Sequence, residues 1–324
     1  MKVALTYTHR SIPNVIEDVS SDGANNYLVA NPGHNYDSEV ADLQSQAATA
    51  QMRAMMAEQA GDDATALIQQ NLADALTQRA TELNFVKKFD KPSRIYDGVT
   101  LRVEQRPSRH SLLVGSYTYS QTKGNYPGLF STETNQLDPN ITSLYDLPDL
   151  MANRFGPLGL DRPHNLKLDG FYQIDLKNAG LVTLGSSIRV QSGIAHNALA
   201  AHPLYGDGES YLLPRGSIDR SPVTSNVDLH VSYGRRLDKN MVLEAFIRAF
   251  NVFDQQDEVN VDENYTFDNA LPIVGGDEND LKHAKSLPDG VTMANTTLIK
   301  NKNFNNTNQL SIPRSFQFGM RLTF

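Results

Sequence analysis

The sequence predicts an all-β fold, an antiparallel sheet of about eight strands interrupted by one helical segment. Three observations predict it. Apolar and polar residues alternate with a period of two over eight segments, as in strands that have one apolar face. Short and very long connections alternate between those segments. A run of strong helix formers without proline occupies residues 38–86, inside the first long connection.

The predicted strands share one pattern. In each of them, residues of one parity are largely apolar, and residues of the other parity carry most of the charged, amide and hydroxyl groups. In the first strand, for example, Val3, Leu5 and Tyr7 alternate with lysine and threonine. The eight alternating segments are 2–8, 99–104, 113–119, 166–174, 182–190, 227–234, 243–250 and 316–324.

The segment 38–86 has helical periodicity in two halves. Apolar residues recur at helical spacing, namely Met52, Met55, Met56 and Ala60 in the first half and Ile68, Leu72, Leu76 and Leu83 in the second. We predict two helices of three to five turns that are joined at Gly61, with Asp62 or Asp63 capping the second helix. The methionine stripe is expected to pack within the protein rather than to form a binding groove.

The connections distinguish two kinds of β protein. Three connections are short turns, at 106–109, 175–180 and 237–240. The alternate connections are long, at 10–95, 121–164, 191–225 and 254–314. Short turns at one end and long loops at the other are typical of outer-membrane β-barrels. A soluble β-sandwich is the alternative, because it shows the same alternation, but soluble domains rarely carry four loops of this length.

A bilayer accounts for the two faces of the predicted strands. Hydrocarbon requires every backbone polar group to be paired within the protein, and a tilted spanning strand needs about 9–11 residues. The polar parity would face a wet lumen and includes Lys167, Asp169, Arg189, Asp228, Arg248 and Arg321. An interfacial aromatic girdle is predicted on the apolar parity, at Tyr7, Tyr117, Tyr119, Tyr172 and Tyr233.

The last strand carries the strongest membrane signal. It ends on an aromatic residue, which is the usual ending of bacterial outer-membrane barrels and is recognised by their assembly machinery. Its predicted membrane-facing residues are Phe316, Phe318, Met320, Leu322 and Phe324.

Composition excludes several functional classes. The chain has 324 residues, no cysteine and a formal net charge of −8. Disulfide scaffolds and thiolate chemistry are therefore absent, and the acidic balance argues against nucleic-acid partners. The sequence contains no GxSxG, Walker A or HExxH motif, and we find no plausible Ser/His/Asp cluster, so we expect neither an enzyme nor a cofactor.

Three weaker signals concern charged side chains. His196 and His202 share a loop, where a solvated structure is favoured over a metal pair. His164 is expected to be structural and to pair with Asp161 or Asp169. The acidic loop 254–289 is expected to be a solvated face, with calcium binding as the alternative, since no EF-hand spacing occurs.

Several stretches resemble a known family. They are Ile16-Glu17-Asp18-Val19, YLVANPG at 27–33, RIYDGVTL at 94–101, GSYTYSQTKGNYPGL at 115–129, Asp138-Pro139-Asn140, NRFGPLGLDRPH at 153–164, Asn251-Val252-Phe253 and the closing strand. With these motifs the chain resembles the C-terminal part of TonB-dependent outer-membrane receptors, and within them the Oar-like subgroup. The motif positions we single out are Gly124, Asn125, Tyr126, Asp161, Arg162, Pro163 and His164.

The resemblance implies a barrel of twenty-two strands with a plug inside. The whole chain, 1–324, would supply the last eight strands, and 38–86 would be an extracellular helical insertion. Because the sequence shows no plug, TonB box or signal peptide, we expect a fragment of a receptor, contacting the TonB complex only through a missing N-terminal part.

The resemblance also implies a location and partners. The location would be the bacterial outer membrane, and the partners would be its lipid, the barrel assembly machinery and an unknown ligand, with the chain acting as a monomer. Extracellular loops would bind that ligand for energy-coupled import. The alternative is a stand-alone eight-stranded barrel that acts as an adhesin or structural protein.

Overall fold

The computed structural model describes residues 1–130, 143–238, 241–288 and 296–324. Its main feature is an antiparallel sheet of eight long strands arranged in chain order. These strands are β1 (Lys2–Ile12), β2 (Arg94–Gln105), β3 (Ser111–Gly124), β4 (His164–Asp175), β5 (Leu181–Gln191), β6 (Thr224–Asp238), β7 (Met241–Phe250) and β8 (Ser315–Thr323). The eight predicted strands are confirmed, and the sheet is a meander of sequential hairpins.

The strands are longer than the alternating segments that predicted them. β1, for example, continues to Ile12, because its polar end still pairs with β2. There His9 lies opposite Asp97, and the His9 Nδ1 is 2.8 Å from the Asp97 carboxylate. Backbone pairing therefore extends past the point at which the apolar alternation stops.

The two edges of the sheet are open. In the described part of the chain, β1 pairs with β2 alone and β8 pairs with β7 alone. No ladder joins β1 to β8 there, so closure of the eight strands into a barrel is not detected. Neither helix of the described residues is long and apolar enough to cross a membrane.

The connections alternate in length as predicted. The turns at 106–110 and 176–180 are short, and Lys239 and Asn240 of the third turn lie outside the described residues. The second turn contains the 3-10 helix Lys177–Ala179 and ends at Gly180, with φ +121°. A Cβ at Gly180 would lie 2.5 Å from the carbonyl oxygen of Gly234, so this turn requires glycine.

The insertion is a helical hairpin of α1 (Asp37–Gln59) and α2 (Asp63–Val86). Its two-helix form is confirmed, and the Asp62 carboxylate caps α2 by accepting from the Thr65 amide at 3.1 Å. The predicted length of three to five turns is wrong, because 23 and 24 residues make more than six turns each.

The methionine stripe does not pack within the protein, so that prediction is wrong. The side chains of Met52, Met55 and Met56 are all more than half exposed. The buried positions between the helices are mostly alanines, namely Ala47, Ala50, Ala54, Ala73 and Ala80, with Val40 and Leu83 near the base. The helices contact each other through these small residues, and the larger side chains point away.

The long connections fold into a layer at one end of the sheet. We call residues 13–36, 87–93, 125–163, 192–223 and 251–314 the loop layer, as far as they are described. Its short strands are Glu17–Ser20, Tyr27–Ala30, Gly156–Pro157, Ala195–His196, Leu199–His202, Gly206–Tyr211, Ile218–Arg220, Glu258–Val261, Asn264–Asn269 and Thr307–Leu310. Its 3-10 helices are Pro148–Met151 and Asp280–Lys282.

The hydrophobic core lies in this layer and in the hairpin. One cluster joins the last two long connections and contains Ala198, Ala200, Leu212, Leu213, Ile218, Tyr265, Ala270, Leu281 and Leu298. A second cluster joins the first two and contains Val19, Ala30, Val86, Phe89, Tyr126, Leu144, Tyr145 and Met151. None of the described apolar side chains on β1 to β8 is buried.

Candidate membrane-facing surface and loop anchor

One face of the sheet carries a continuous apolar surface, which we call the outer face. Strand register places its residues opposite each other, so that the apolar parity of one strand meets that of the next. One row crosses β4 to β8 through Tyr172, Leu184, Val231, Ile247 and Phe318. A second row crosses β1 to β5 through Leu5, Leu101, Tyr117, Leu166 and Val190.

The last strand contributes the most exposed part of the outer face. The predicted residues are all present on it, and their exposed fractions are 58% for Phe316, 71% for Phe318, 73% for Met320, 47% for Leu322 and 92% for Phe324. Exposed apolar areas of this extent mark surfaces that contact something other than water.

Tyrosines lie at both margins of the outer face. The Tyr7 hydroxyl, from the middle of β1, donates to the Asp97 carboxylate at 2.7 Å, and near the loop layer the Tyr117 hydroxyl is 2.7 Å from His164 Nδ1. Near the short turns, the Tyr233 hydroxyl donates to the Ala179 carbonyl. The rings thus join the apolar face while their hydroxyls reach polar partners at its rims.

The opposite face of the sheet is polar. Arg189 and Asp169, on adjacent strands, form an ion pair with an N–O distance of 2.8 Å. A cavity of about 390 Å³ opens on this face, and its lining combines the charged Asp169, Asp228 and Arg248 with apolar side chains, namely Leu112, Val114, Phe171 and Phe250. The predicted division into an apolar and a polar face is therefore present in the sheet.

The first motif, at Gly124 to Tyr126, anchors the start of a long connection. A Cβ at Gly124 would lie 1.8 Å from the Ser93 carbonyl oxygen, so the backbone there requires glycine. Asn125 is buried; its side-chain oxygen accepts from the Ser93 amide at 2.7 Å, and its amide group donates to the Lys91 carbonyl at 3.0 Å. These bonds tie two loop segments together where β2 begins and β3 ends.

Tyr126 connects the same motif to the loop-layer core. It is buried, and its hydroxyl donates to the Glu17 carboxylate at 2.7 Å. Burial, together with this bond to a carboxylate, raises the pKa of Tyr126, so the phenol stays protonated. The first motif therefore serves packing and anchoring in the structure.

The second motif, at Asp161 to His164, anchors the return of that connection. Asp161 is 1% exposed and accepts from the Thr122 amide and from Arg220, each at 2.6 Å. Arg162 donates to the Ser192 carbonyl at 2.7 Å, and the Pro163 carbonyl accepts from the Ser120 amide at 2.9 Å. The structure thus brings both motifs together beside the end of β3, whereas Asp138 to Asn140 lie outside the described residues.

His164 does not pair with Asp161 or Asp169, so that expectation is wrong. Its ring faces the outer side of the sheet, where Nδ1 meets the Tyr117 hydroxyl and the ring lies 5.2 Å from that of Tyr119. Asp161 is instead engaged by Arg220, and Asp169 by Arg189. Strand alternation explains the difference, because a side chain at the start of β4 shares its face with Leu166.

The sequence did not indicate several residues that hold the loop layer. Arg154 is buried and forms an ion pair with Glu209 at 3.2 Å. Asn153 has φ +62°, and its side-chain amide donates to the carbonyls of Tyr211, Leu212 and Ile273. Their position within NRFGPLGLDRPH was the available signal, but their partners lie 55 or more residues away.

The expectation of a solvated loop around His196 and His202 is wrong for His196, which lies inside the loop layer. His196 is buried, with Nε2 2.7 Å from the Ser221 hydroxyl and Nδ1 2.9 Å from the Asn305 side-chain oxygen. Burial lowers the pKa of both histidines. No group of three or more His, Asp or Glu side chains in the described ranges could hold a metal ion.

Ser221, His196 and Asn305 form a hydrogen-bonded chain of the residue types found in some catalytic triads. Both Ser221 and His196 are buried. The Ser221 amide donates to the Ile194 carbonyl at 3.0 Å, so it is not free to stabilise an oxyanion. The geometry is that of a buried histidine with both ring nitrogens satisfied, linking three parts of the loop layer.

The carboxylates of loop 254–289 accept hydrogen bonds from backbone amides. Asp254 accepts from the Arg314 amide at 2.8 Å, Asp257 from the Ser225 amide at 2.6 Å, and Asp268 from the Ile299 amide at 2.7 Å. Asp262 accepts from the Asn264 amide and from the Asn301 side chain. These acids therefore act as loop caps, a role that the expectation of a solvated face did not include.

The chain is similar in sequence to a known transporter. It is 31% identical, over 330 residues, to the TonB-dependent transporter Oar of Myxococcus xanthus. The alignment covers all of this chain and the C-terminal 26% of the relative, so the chain spans about a quarter of the relative's length. No family model and no solved structure matches the chain. The relative is named as a transporter, and the chain is therefore related to TonB-dependent receptors.

Proposed function

We propose that the chain forms the C-terminal strands of a TonB-dependent outer-membrane receptor of the Oar-like subgroup. The observation that carries this proposal is the outer face, a continuous exposed apolar surface on a sheet with short turns at one end. The relation to a TonB-dependent transporter over the full chain supports it independently. In this arrangement the sheet lies in the bilayer of a bacterial outer membrane, and the short turns face the periplasm.

Lipid accounts for the outer face better than water does. Phe318, Met320 and Leu322 would contact hydrocarbon, and the tyrosines at the two margins would lie at the level of the headgroups. The polar face, with the Asp169–Arg189 pair, would line the lumen. The open edges of β1 and β8 would pair with further strands of the same barrel, because unpaired edges in hydrocarbon are costly.

The loop layer would be extracellular and would supply the ligand-binding surface. Its two hydrophobic clusters and the anchors at Asn125 and Asp161 fix its shape, which supports a defined surface rather than mobile loops. We propose energy-coupled import of a ligand, without catalysis, as the activity of the complete receptor. The barrel assembly machinery would recognise the terminal strand, and the TonB complex would act through the plug.

Site-directed spin labelling tests the bilayer placement. Because the chain contains no cysteine, single cysteines can be introduced at 316 to 321 without removing native ones. With these strands in place in the complete receptor, reconstituted into phosphatidylcholine vesicles, we expect high oxygen accessibility at 316, 318 and 320. We expect high accessibility to a water-soluble nickel chelate at 317 and 321, since a side chain at Gly319 would meet the Phe246 ring. Equal chelate accessibility at both parities would contradict the proposal.

Heat-modifiable gel mobility distinguishes the two barrel arrangements. We expect the refolded chain to show no shift on boiling, because β1 and β8 need strands from elsewhere in the receptor. A shift, together with β-type circular dichroism, would mean that eight strands close by themselves. That outcome would favour the stand-alone barrel that acts as an adhesin or structural protein.

A further inference from the structure

The helical hairpin has an inverted distribution of apolar side chains. Its internal contact is made mostly of alanines, whereas its large apolar residues near the tip point away from the partner helix. Those residues are exposed by 56% at Met52, 60% at Met55, 61% at Met56, 63% at Leu67, 64% at Ile68 and 45% at Leu72. The three methionines share one face of α1, and we call them the tip patch. An amphipathic helix usually buries such side chains, so their exposure has no explanation in the packing of the hairpin itself.

The base and the tip of the hairpin differ in this respect. At the base, Val86 and Leu83 are buried, and they join clusters with Phe89 and Val40. The neighbouring loops therefore cover the base, while none of the described loops covers the tip patch. The hairpin is fixed at one end and presents apolar side chains at the other.

The charge of the hairpin restricts the partner. Between 37 and 86 the sequence has eight carboxylates and two arginines. Around the tip, Glu58, Asp62, Asp63 and Asp74 are exposed, with Arg53 as the basic residue. A second copy of the chain would bring two such acidic rims together, and an anionic lipid surface would be repelled in the same way.

We propose that the tip patch binds a protein segment that is apolar on one face and basic at its rim. Methionines suit this task because their flexible side chains adapt to the shape of a partner. The apolar contact would supply most of the affinity. The acidic rim would steer basic partners and disfavour acidic ones.

Two defined peptides test the proposal on the full chain refolded in dodecyl maltoside. One is an 18-residue helical peptide with leucines on one face and lysines on the other, and its counterpart has glutamate in place of lysine. We expect fluorescence anisotropy to show at least tenfold tighter binding of the leucine–lysine peptide. Equal binding of both peptides would overturn the assignment of a basic partner.

Matched variants locate the binding. Met52→Gln, Met55→Gln and Met56→Gln together keep the charge and the helix propensity, and we expect them to weaken binding at least tenfold. The control carries glutamines at three exposed apolar positions of the loop layer, Ile16, Leu204 and Val274, and should bind like the native chain. Far-ultraviolet circular dichroism checks that both variants keep their helices.

A second copy of the chain or a lipid surface at the tip patch would give different results. If sedimentation shows a dimer that the methionine variant abolishes, a second copy covers the tip patch and the proposal is wrong. If vesicles of anionic phosphatidylglycerol bind in a methionine-dependent way and the peptides do not, lipid covers it and the proposal is again wrong. Unchanged peptide binding by the methionine variant would also overturn it.

Discussion

The sheet and the loop layer distribute apolar and charged side chains in opposite ways. In the sheet, the large apolar side chains are exposed and the polar ones share the other face, as Phe318 and Arg189 illustrate. In the loop layer, Leu212 and Leu213 are fully buried, and charged groups such as Asp161 are enclosed with their partners. The loop layer is built like a domain in water, and the sheet like a surface for an apolar solvent.

Different interactions stabilise the two regions. Burial of apolar side chains, about 25 cal/mol per Å², can stabilise the loop layer in water. The sheet has no such core, so in water its stability would depend on backbone pairing alone, which is marginal. The free energy of unfolding should therefore depend on the surrounding solvent in one way for loop-layer variants and in another way for sheet variants.

The largest effect is expected from Asp161→Ala. The change removes the acceptor of the Thr122 amide and leaves the partly buried Arg220 guanidinium without a carboxylate, bonded only to the carbonyls of Asp161 and Gly193. We expect the free energy of unfolding of the loop layer to fall by about 3 kcal/mol. Urea unfolding followed by the near-ultraviolet circular dichroism of tyrosine measures it.

The control for this prediction is the exposed neighbour Asp219. Asp219→Ala should change the free energy of unfolding by less than about 0.5 kcal/mol. An equal loss in the two variants would mean that the anchor at Asp161 is not a distinct stabilising contact.

A pair of leucine truncations compares the two regions directly. Leu213→Ala opens a cavity in the loop-layer cluster and should cost about 2–4 kcal/mol in detergent. Leu322→Ala removes the same atoms from the outer face, where detergent fills the space, and should cost about 1 kcal/mol or less. Similar losses in urea unfolding would contradict the division into a packed layer and a solvent-facing sheet.

Charge substitution on β8 sharpens the comparison between the two faces of the sheet. Phe318→Arg places a cation on the outer face near the middle of the strand, and Gln317→Arg places one on the polar face. In lipid vesicles we expect the first to cost about 2–4 kcal/mol. The second should cost about 1 kcal/mol, because it keeps the cation out of the apolar face and meets only the like charge of Arg248 directly opposite. Equal losses of stability in the two variants would mean that water contacts both faces of the sheet.

The smallest effect concerns the buried imidazole of the loop layer. Burial lowers the pKa of His196, so the folded state binds a proton less readily than the unfolded state, whose ordinary value is near 6.5. Stability is therefore full above that value and falls as the pH drops through it toward the lowered pKa. His196→Gln should flatten the dependence of urea unfolding between pH 7 and pH 5.

The exposed His283 is the matched control for that titration. His283→Gln should leave the pH dependence as it is in the native chain. If His283→Gln flattened the curve and His196→Gln did not, the buried hydrogen-bonded histidine would not be the group responsible.

Much of the fold could be predicted from the sequence, because strand alternation and helical spacing are local signals. The eight strands, their order of short and long connections, and the helix break at Gly61 all follow from neighbours along the chain. The prediction for Met52, Met55 and Met56 failed for a physical reason. Periodicity identifies a helical face, but it does not say which of two faces contacts the partner helix, and here alanines allow the closer approach.

Some features of the candidate site could likewise be predicted from the sequence, and others could not. The sequence by itself determined the outer face of β8, since alternate side chains of a strand must share a face, and it determined the motif positions as a set. Only the tertiary structure decided their partners: Arg220 for Asp161, Tyr117 for His164, and Asn305 for His196. These pairs lie 47 to 109 residues apart, and contacts at that distance depend on how the loops cross above the sheet, which no local pattern encodes.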